Sequence, residues 1–306
     1  MATSRLLAIP LGLLSAGVAG GLLDGVVWPG PALALFRPQL TLALLAVVLL
    51  ALAVGPRRLA LAGMAAVVLG VVLLLPALRA SEPEPPAGAR TVKVLTLNLW
   101  HRNDDVSAVE ALIRRERPDV VALLELTPAW AQALSRVLAP YPIRAAEPAA
   151  GSTGIGVYGR TPARDARVVR LRAGIRAAVE VRLDLRGRTS QLLVVHPPGA
   201  LYPGDPGPHE RELAAFGEWA RAQGPRRAIC GDLNAAPWSR SLRDLLAEGD
   251  LRAAFPGGLF AGSWLRLPRP LRVAIDGCLV GVGLRARAEL GPDVGSDHRP
   301  VLVELA

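Results

Sequence analysis

Five apolar runs in the C-terminal two thirds of the sequence each end in a residue type that binds metals or moves protons. The runs have the length of β-strands and are rich in Leu and β-branched residues. The residues that end them are Asn98, Glu125, His196, Asp232 and Asp276. Ligands gather where the ends of such strands converge, so the five predict one shared pocket.

Two short motifs add to this set. Gly231-Asp232-Leu233-Asn234 places a carboxylate and an amide two residues apart, which lets both point to the same side of an extended turn. Gly295–Pro300 contains Asp297 and His298 directly before a final apolar run, Val301–Leu305. Each motif alone is also typical of an ordinary turn or surface loop.

These side chains suit the hydrolysis of a phosphate ester, which needs a cation to neutralise charge and an activated water. Mg²⁺ prefers oxygen ligands and often uses one or two carboxylates with the substrate. Glu125, helped by Asn98 and Asp297, matches that set, with Mn²⁺ as an alternative ion. The small number of histidines argues against zinc.

The remaining polar residues would act on water and phosphate. Asp232 can accept a proton from water, and Asn234 can orient the water or the phosphate. A protonated His298 could stabilise the pentavalent phosphorus, with Asp276 favouring its charged form. His101 could line the site or be a plain loop residue, and we favour the loop. We interpret His209 as a capping or solvent residue.

Taken in this order, the motifs resemble the endonuclease/exonuclease/phosphatase superfamily, which includes DNase I, abasic-site endonucleases, inositol polyphosphate 5-phosphatases and neutral sphingomyelinases. The elements that carry the resemblance are Thr96-Leu97-Asn98, Leu123-Leu124-Glu125, Val195-His196, Gly231–Asn234, Ile275-Asp276 and Ser296-Asp297-His298. They cover nearly all of the chain from Val92 onward.

The resemblance implies an α/β fold: a four-layer α/β sandwich of two mixed sheets flanked by helices. It also implies that the metal ligands are Asn98, Glu125 and Asp297. It further implies a catalytic set of His196, Asp232, Asn234, Asp276 and His298. In that set the two histidines contact the phosphate, Asp232 and Asn234 handle the water, and Asp276 pairs with His298.

Three positions depart from the superfamily pattern. Leu124 stands where Gln is frequent, and Gly277 stands where a membrane-bound bacterial branch often has His. Pro197-Pro198-Gly199 follows His196 in place of a plain strand exit. These departures put the substrate contacts in doubt more than the chemistry.

The helices that separate the apolar runs indicate a mixed α and β class. Residues 106–117 predict an amphipathic helix that ends before Pro118 and has an apolar face of Val106, Val109, Leu112 and Ile113. Further helices are predicted over residues 128–138 and 210–222.

Three apolar segments precede this region: Leu6–Trp28, Leu40–Val54 and Leu59–Leu78. A membrane span needs about 20 residues, so the first and third qualify, while the second needs Gln39 and Gly55 to extend it. Asp24 lies near an end of the first segment, where a charge is less costly than at the bilayer centre. A signal peptide followed by buried core helices is the alternative.

The expected organisation is therefore three transmembrane helices over residues 1–80, a Pro-rich linker over 81–90 and a catalytic domain over 91–306. This layout also looks like the bacterial membrane-bound branch. Arg57 and Arg58 would lie in the cytoplasm by the positive-inside rule, which places the domain on the extracytoplasmic side of the cell membrane. Arg79 and Arg90 weaken that inference.

Composition limits the partners. The net charge of +9 suits an anionic ligand, but the Arg residues are scattered, so a long nucleic-acid footprint is not indicated. Two cysteines exclude a disulfide scaffold and a Cys₄ zinc site. Cys230 and Cys278 are expected to be buried thiols, with a single bridge left open if the domain is exported.

The sequence thus predicts a membrane-anchored, Mg²⁺-dependent phosphoesterase with no obligate protein partner. Its substrate could be nucleic acid, a phospholipid headgroup or a small phosphate ester, and diester and monoester remain open. A non-catalytic membrane module that binds phosphorylated ligands is the alternative, and a small transporter ranks last. The expected specificity loops, residues 197–208 and 255–270, contain Tyr202, Phe260 and Trp264, which are expected mainly to pack.

Overall fold

The computed structural model describes residues 2–54, 57–79, 84–199 and 203–306. Gly55, the start of the predicted linker and Tyr202 lie outside the described residues. The chain divides into two compact units. One comprises Met1–Ala80, Gly199–Glu210 and Ala235–Arg243, and the other comprises Ser81–Pro198, Arg211–Asn234 and Asp244–Ala306.

The helices of the chain are α1 (Ala2–Gly20), α2 (Gly30–Leu35), α3 (Arg37–Val54), α4 (Arg57–Arg79), α5 (Val106–Glu116), α6 (Pro128–Ala133), α7 (Gly207–Ala222) and α8 (Arg240–Gly249). Three stretches among the first of these are long and apolar enough to cross a membrane: Leu6–Leu23, Arg37–Val54 and Arg57–Leu78. The prediction of three such helices is confirmed. The second begins earlier than expected because Pro38 fits the first turn of a helix. The first ends just before Asp24.

The strands are β1 (Val92–Asn98), β2 (Val120–Leu124), β3 (Ile143–Glu147), β4 (Ile155–Gly159), β5 (Ala163–Val169), β6 (Ala178–Leu185), β7 (Arg188–Val195), β8 (Arg227–Asp232), β9 (Leu251–Ala254), β10 (Asp276–Gly281), β11 (Ala286–Leu290) and β12 (Val301–Leu305). They form two six-stranded sheets with the orders β11-β12-β1-β2-β4-β3 and β5-β6-β7-β8-β10-β9.

Strand direction brings the polar positions to corresponding edges of the two sheets. In the first sheet β1 is parallel to β2 and antiparallel to β12. The carboxyl ends of β1 and β2 and the amino end of β12 therefore lie at one edge. The second sheet repeats the arrangement, because β7 is parallel to β8 and β10 is antiparallel to β8.

Apolar side chains from both sheets form the central core, including Val94, Leu124, Val179, Leu192 and Val303. A second cluster on the outer face of the first sheet packs against α5 and α6. On the second sheet, Trp219 of α7 donates a hydrogen bond from its indole to Glu180 of β6 at 2.7 Å. The predicted four layers, two mixed sheets between helices, are confirmed.

Several predicted boundaries were wrong. Asp276 begins β10 instead of ending a strand, because β10 runs antiparallel to β8 and starts at the site edge. Helix α5 ends at Glu116, since Arg117 adopts a left-handed conformation that closes the helix. Helix α6 stops at Ala133, and α7 begins already at Gly207.

The two cysteines face each other across β8 and β10, and the structure pairs them in a disulfide with a Cα–Cα distance of 4.1 Å. The expectation of two buried thiols was therefore wrong. The pairing could not be predicted from the sequence, because the cysteines are 48 residues apart. Only the register of β8 and β10 places them directly opposite each other. Asp232 and Asp276, two residues from the cysteines along β8 and β10, form the cross-strand pair at the site edge.

We expect reduction of this disulfide to lower the free energy of unfolding by about 2–4 kcal/mol, because the bridge closes a long loop and restricts the unfolded chain. The measurement is the thermal midpoint of the full chain in detergent, with and without a reductant that reaches the bond. The double variant C230A/C278A is the control and should not respond to reductant. An unchanged wild-type midpoint after verified reduction would contradict this expectation.

Candidate active site

The amide of Asn98, at the end of β1, links carboxylates from the two sheets. Its Nδ2 donates to Glu125 Oε1 at 3.3 Å and to Asp232 Oδ2 at 3.2 Å. The carbonyl oxygen of Asn98 accepts from the hydroxyl of Ser296 at 2.7 Å. One residue therefore fixes the positions of three of the predicted motifs.

His298 and Asp276 form a buried pair. His298 Nδ1 lies 2.8 Å from Asp276 Oδ2, and His298 Nε2 lies 3.7 Å from Asp232 Oδ2. Burial disfavours the charged ring, but the carboxylates of Asp276 and Asp232 outweigh it and raise the pKa of His298 to about 10. The ring is therefore an imidazolium at neutral pH.

Asp232 carries the complementary charge. Burial would raise its pKa, but the charge of His298 and the interaction with His196 outweigh it and lower the pKa to about 2. His196 Nε2 lies 3.4 Å from Asp232 Oδ2. The backbone N–H of Asn234 donates to Asp232 Oδ1 at 2.9 Å. Asp232 thus remains ionised although it is buried.

His101 binds the carboxylate of Glu125 through both its backbone and its ring. The backbone N–H of His101 donates to Glu125 Oε2 at 2.9 Å, and its Nδ1 lies 2.6 Å from the same oxygen. Burial raises the pKa of Glu125, but these interactions exceed that effect and lower it. His101 lies in a turn, as favoured, and it also contacts the site, because the backbone turns at Trp100, which has a φ of 55°.

Asp297 offers a free oxygen to a cation. Its Oδ2 accepts from the indole of Trp264 at 3.4 Å, while Oδ1 is buried and receives no hydrogen bond from the residues that the structure describes. Burial raises the pKa of Asp297, and the charge of Glu125 adds to the effect. An oxygen-rich, negatively charged set with an unsatisfied oxygen fits Mg²⁺.

A different trio, Asp232, Asp276 and His298, has ligand atoms within 4.8 Å of one another. His298 is poorly suited to bind a cation, because its Nδ1 is occupied by Asp276 and the ring is already charged. Glu125, Asn98 and Asp297 remain the residues that the sequence predicts to bind a metal. Those ligand assignments stay predictions.

Backbone strain accompanies the functional positions. Glu125 and Asn234 have φ values of 53° and 50°, in the left-handed region that Glu rarely adopts and that Asn adopts more readily. Gly231 has a φ of 148°, and a Cβ built there would lie 2.1 Å from the carbonyl oxygen of Val195. Gly231 thus permits β7 and β8 to approach closely where they present His196 and Asp232.

Arg176, which lies between β5 and β6, was not among the predicted site residues. Its guanidinium donates to the carbonyl oxygen of His196 at 3.4 Å. Burial lowers the pKa of Arg176, opposed by the charges of Glu212, Asp232 and Glu125. No neighbouring motif marks this residue among the scattered arginines, and only the fold shows that its charge faces the acidic site.

The three departures from the superfamily pattern have structural explanations. Leu124 is fully buried in the core between the sheets. A Cβ at Gly277 would lie 2.9 Å from the ring of Phe255, so that position leaves little room for a side chain. The carbonyl oxygen of Pro197 accepts from Asn234 Nδ2 at 2.9 Å. Two of the departures thus leave the site untouched, and the third supports it.

Two other interpretations need correction. His209 is buried and not in solvent, because the helix begins two residues before it and places it in the first turn. Trp264 does more than pack, since it bonds Asp297 and its ring centroid lies 6.2 Å from that of His298.

Comparisons with known proteins agree with this geometry. A model of the endonuclease/exonuclease/phosphatase family matches residues 95–298. Similar solved structures include sphingomyelinase C from Streptomyces griseocarneus, with 18% identity, a TM-score of 0.51, and coverage of 71% of this chain and 99% of that one. No curated protein sequence matches the chain.

Two further structures show the same fold. TDP2 from D. rerio, complexed with a single-strand DNA product, has 13% identity, a TM-score of 0.56, and coverage of 71% of this chain and 99% of that one. Beta toxin from Staphylococcus aureus, with bound magnesium ions, has 13% identity, a TM-score of 0.55, and coverage of 70% of this chain and 99% of that one. Identities this low establish the fold alone.

Asp276→Asn should lower the pKa of His298, because the substitution removes the nearest negative charge and leaves the imidazolium less stabilised. The protonated fraction of His298 at pH 8 should therefore fall. NMR titration of the ring in the metal-free full chain measures this, with the exposed Asp165→Asn as a matched control. An unchanged pKa of His298 in Asp276→Asn would show that the pair does not set its charge.

Proposed function

Because the chain belongs to the endonuclease/exonuclease/phosphatase family, we propose that it is a membrane-anchored, Mg²⁺-dependent phosphoesterase. The observation that carries the proposal is the buried cluster in which Asp232 faces the imidazolium of His298, beside the oxygen ligands Glu125 and Asn98. That cluster combines a base, a charged donor and a cation site at the adjoining edges of two sheets. Hydrolysis of a phosphate ester requires these three components.

In the proposed reaction a water attacks phosphorus, a new P–O bond forms and the bond to the leaving oxygen breaks. Asp232 aligns the water and receives its proton as the bond forms. A base whose pKa is about 2 cannot remove that proton in the ground state, so its action belongs to the transition state. The backbone of Asn234 holds one oxygen of Asp232 and so fixes the direction of the other.

Positive groups surround the position proposed for the phosphate. His298 donates from Nε2 to a phosphoryl oxygen, and His196 contacts the same group. Arg176 adds a third positive or donating side chain near Asp232 and Glu125. Such fixed donors stabilise the charge of a pentavalent phosphorus more than they stabilise the substrate.

Glu125, Asn98 and Asp297 would hold Mg²⁺, with Mn²⁺ as a substitute. When bound, the ion would supply the Lewis acid that polarises a phosphoryl oxygen. The unsatisfied Oδ1 of Asp297 supports this assignment. The number of ions is left to metal titration.

The substrate is proposed as a phosphodiester of nucleic acid or a phospholipid headgroup, or a phosphomonoester. Relatives of similar fold include a sphingomyelinase and a protein with a bound DNA product. Scattered arginines do not favour a long duplex. We propose that Trp264, which lies beside Asp297 and His298, contacts the group attached to the phosphate.

The full chain in detergent should hydrolyse at least one member of a panel of DNA, phosphoinositides, sphingomyelin and simple phosphate esters with Mg²⁺, and lose activity with chelator. Asp232→Ala and His298→Ala should each lower kcat by about 10²–10⁴-fold, because each removes a proton-transfer or charged group. Arg176→Ala should also lower kcat, because Arg176 is one of the donors proposed to stabilise the transition state. Product release measured across the panel checks these expectations.

Asp165→Ala, an exposed change on β5, is the control and should retain full turnover. Mg²⁺-independent activity, or activity that persists in both catalytic variants, would rule out the mechanism. Binding of a phosphorylated ligand without turnover, unaffected by Asp232→Ala, would instead favour a non-catalytic module.

We also propose that the three apolar helices span the cell membrane and that the catalytic domain, residues 91–306 after a linker of 81–90, lies on the extracytoplasmic side. The disulfide supports this side, because such bonds persist in oxidising compartments and are rare in the cytosol. Arg57 and Arg58 would then face the cytoplasm.

A cysteine placed at exposed Asp165 in the C230A/C278A background should react with a membrane-impermeant maleimide in intact cells. A cysteine at Arg58 should react only after the membrane is permeabilised. Gel-shift detection of the labelled chain measures both. The reverse pattern would place the catalytic domain in the cytoplasm.

A further inference from the structure

Two ionisable residues at the ends of the apolar helices are almost completely buried. Asp24 follows the first candidate span and Arg37 begins the second. Each has 2% of its surface exposed. Burial of a charge is costly unless hydrogen bonds compensate it, so charged residues at such positions tend to serve a function.

Both residues form hydrogen bonds with residues 235–243, which belong to the same compact unit as the membrane helices. Asp24 Oδ2 accepts from the backbone N–H of Arg240 at 2.6 Å, and Asp24 Oδ1 lies 3.3 Å from the Oγ of Ser241. Helix α8 begins at Arg240, so Asp24 satisfies a free N–H of its first turn with a negative charge.

Arg37 bonds the same segment from the other side. Its Nη1 donates to the carbonyl oxygen of Trp238 at 2.7 Å, and its Nη2 donates to that of Gly21 at 2.8 Å. The buried indole of Trp238 donates to the carbonyl oxygen of Ala34 at 2.9 Å. The guanidinium and the indole thus cross-link the helix ends to residues 235–243.

A second segment of this unit meets the first. The Ser241 hydroxyl donates to Glu210 Oε1 at 2.6 Å. The segments Gly199–Glu210 and Ala235–Arg243 directly follow Pro198 and Asn234 in the chain. They are therefore the continuations of the His196 motif and of the Gly231–Asn234 motif.

We propose that Asp24 and Arg37 are positioning residues for the phosphoesterase reaction. They hold residues 235–243 and, through the chain, the strained conformation of Asn234 that directs Asp232. The membrane helices are on this view a structural part of the enzyme and not only an anchor. The proposal rests on the function proposed above.

The test uses the full chain in nanodiscs and compares Asp24→Ala, Asp24→Asn and Arg37→Lys. Amide hydrogen exchange is followed at Leu233 and Asn234, whose N–H groups donate to Ile275 and Asp232. We expect faster exchange in Asp24→Ala and Arg37→Lys, with Asp24→Asn partly rescued because its amide oxygen can still accept. The kcat should fall about 10- to 100-fold, as for a small misplacement of a catalytic group, with KM nearly unchanged.

Leu44→Ala is the control for general loss of helix packing, because Leu44 lies in the apolar core of the helices. It should lower the thermal midpoint and leave exchange at Leu233 and Asn234 as in the wild type. In a double-mutant cycle, Asp24→Ala and Asn234→Ala should be non-additive in kcat, since both act on one loop.

Wild-type exchange at Leu233 and Asn234 in folded Asp24→Asn and Arg37→Lys would overturn the proposal, and so would an unchanged kcat. Equal exchange effects of Leu44→Ala would also overturn it. If the wild type hydrolyses nothing, the phosphoesterase assignment fails, and the exchange results alone decide whether the helix ends hold this loop.

Discussion

Compensation of buried charge is the constraint on which the site depends. Asp232, Asp276 and His298 are all nearly excluded from water, and an isolated charge in such a place would neutralise itself by a shift of its pKa. Here the imidazolium lies between two carboxylates, so the ring and each carboxylate stabilise one another and offset the repulsion between the two carboxylates. The positive ring therefore persists at neutral pH and can meet a negatively charged phosphate.

Strand direction makes this compensation attainable for residues that are distant in sequence. Parallel strands bring Asn98 and Glu125 together in one sheet, and His196 and Asp232 together in the other. Antiparallel neighbours then contribute residues from their amino ends, Asp276 from β10 and His298 from the turn before β12. Asn98, bonded to Glu125 and Asp232, joins the two edges. The pocket is thus a consequence of topology more than of any single loop.

Sequence reasoning succeeded where a residue type and its position carried the information locally. Apolar runs that end in polar residues located the carboxyl ends of β1, β2, β7 and β8. Local patterns could not show that β10 runs in the opposite direction, which made Asp276 the start of a strand. The same limitation hid the Cys230–Cys278 pair, because only strand register sets the two opposite each other.

Some residues of the site were missed by sequence analysis for a different reason. The path of the backbone brings Arg176 and His101 to the site, and neither residue belongs to a motif with a fixed spacing. His101 reaches Glu125 because Trp100 takes a left-handed conformation that nothing in its side chain favours. Such a strained backbone conformation persists only when the surrounding contacts hold it in place.

Asn234 presents the same problem, since it too is left-handed and its own motif supplies few contacts to hold it there. It bonds Asp232 and Pro197, and the chain on its carboxyl side continues into a segment fixed by buried charges at the ends of apolar helices. We infer that the fixed segment supports this conformation in addition to those two bonds. The cost of burying Asp24 and Arg37 is then understandable, because a rigid attachment point for the catalytic loop requires bonds that do not exchange with water.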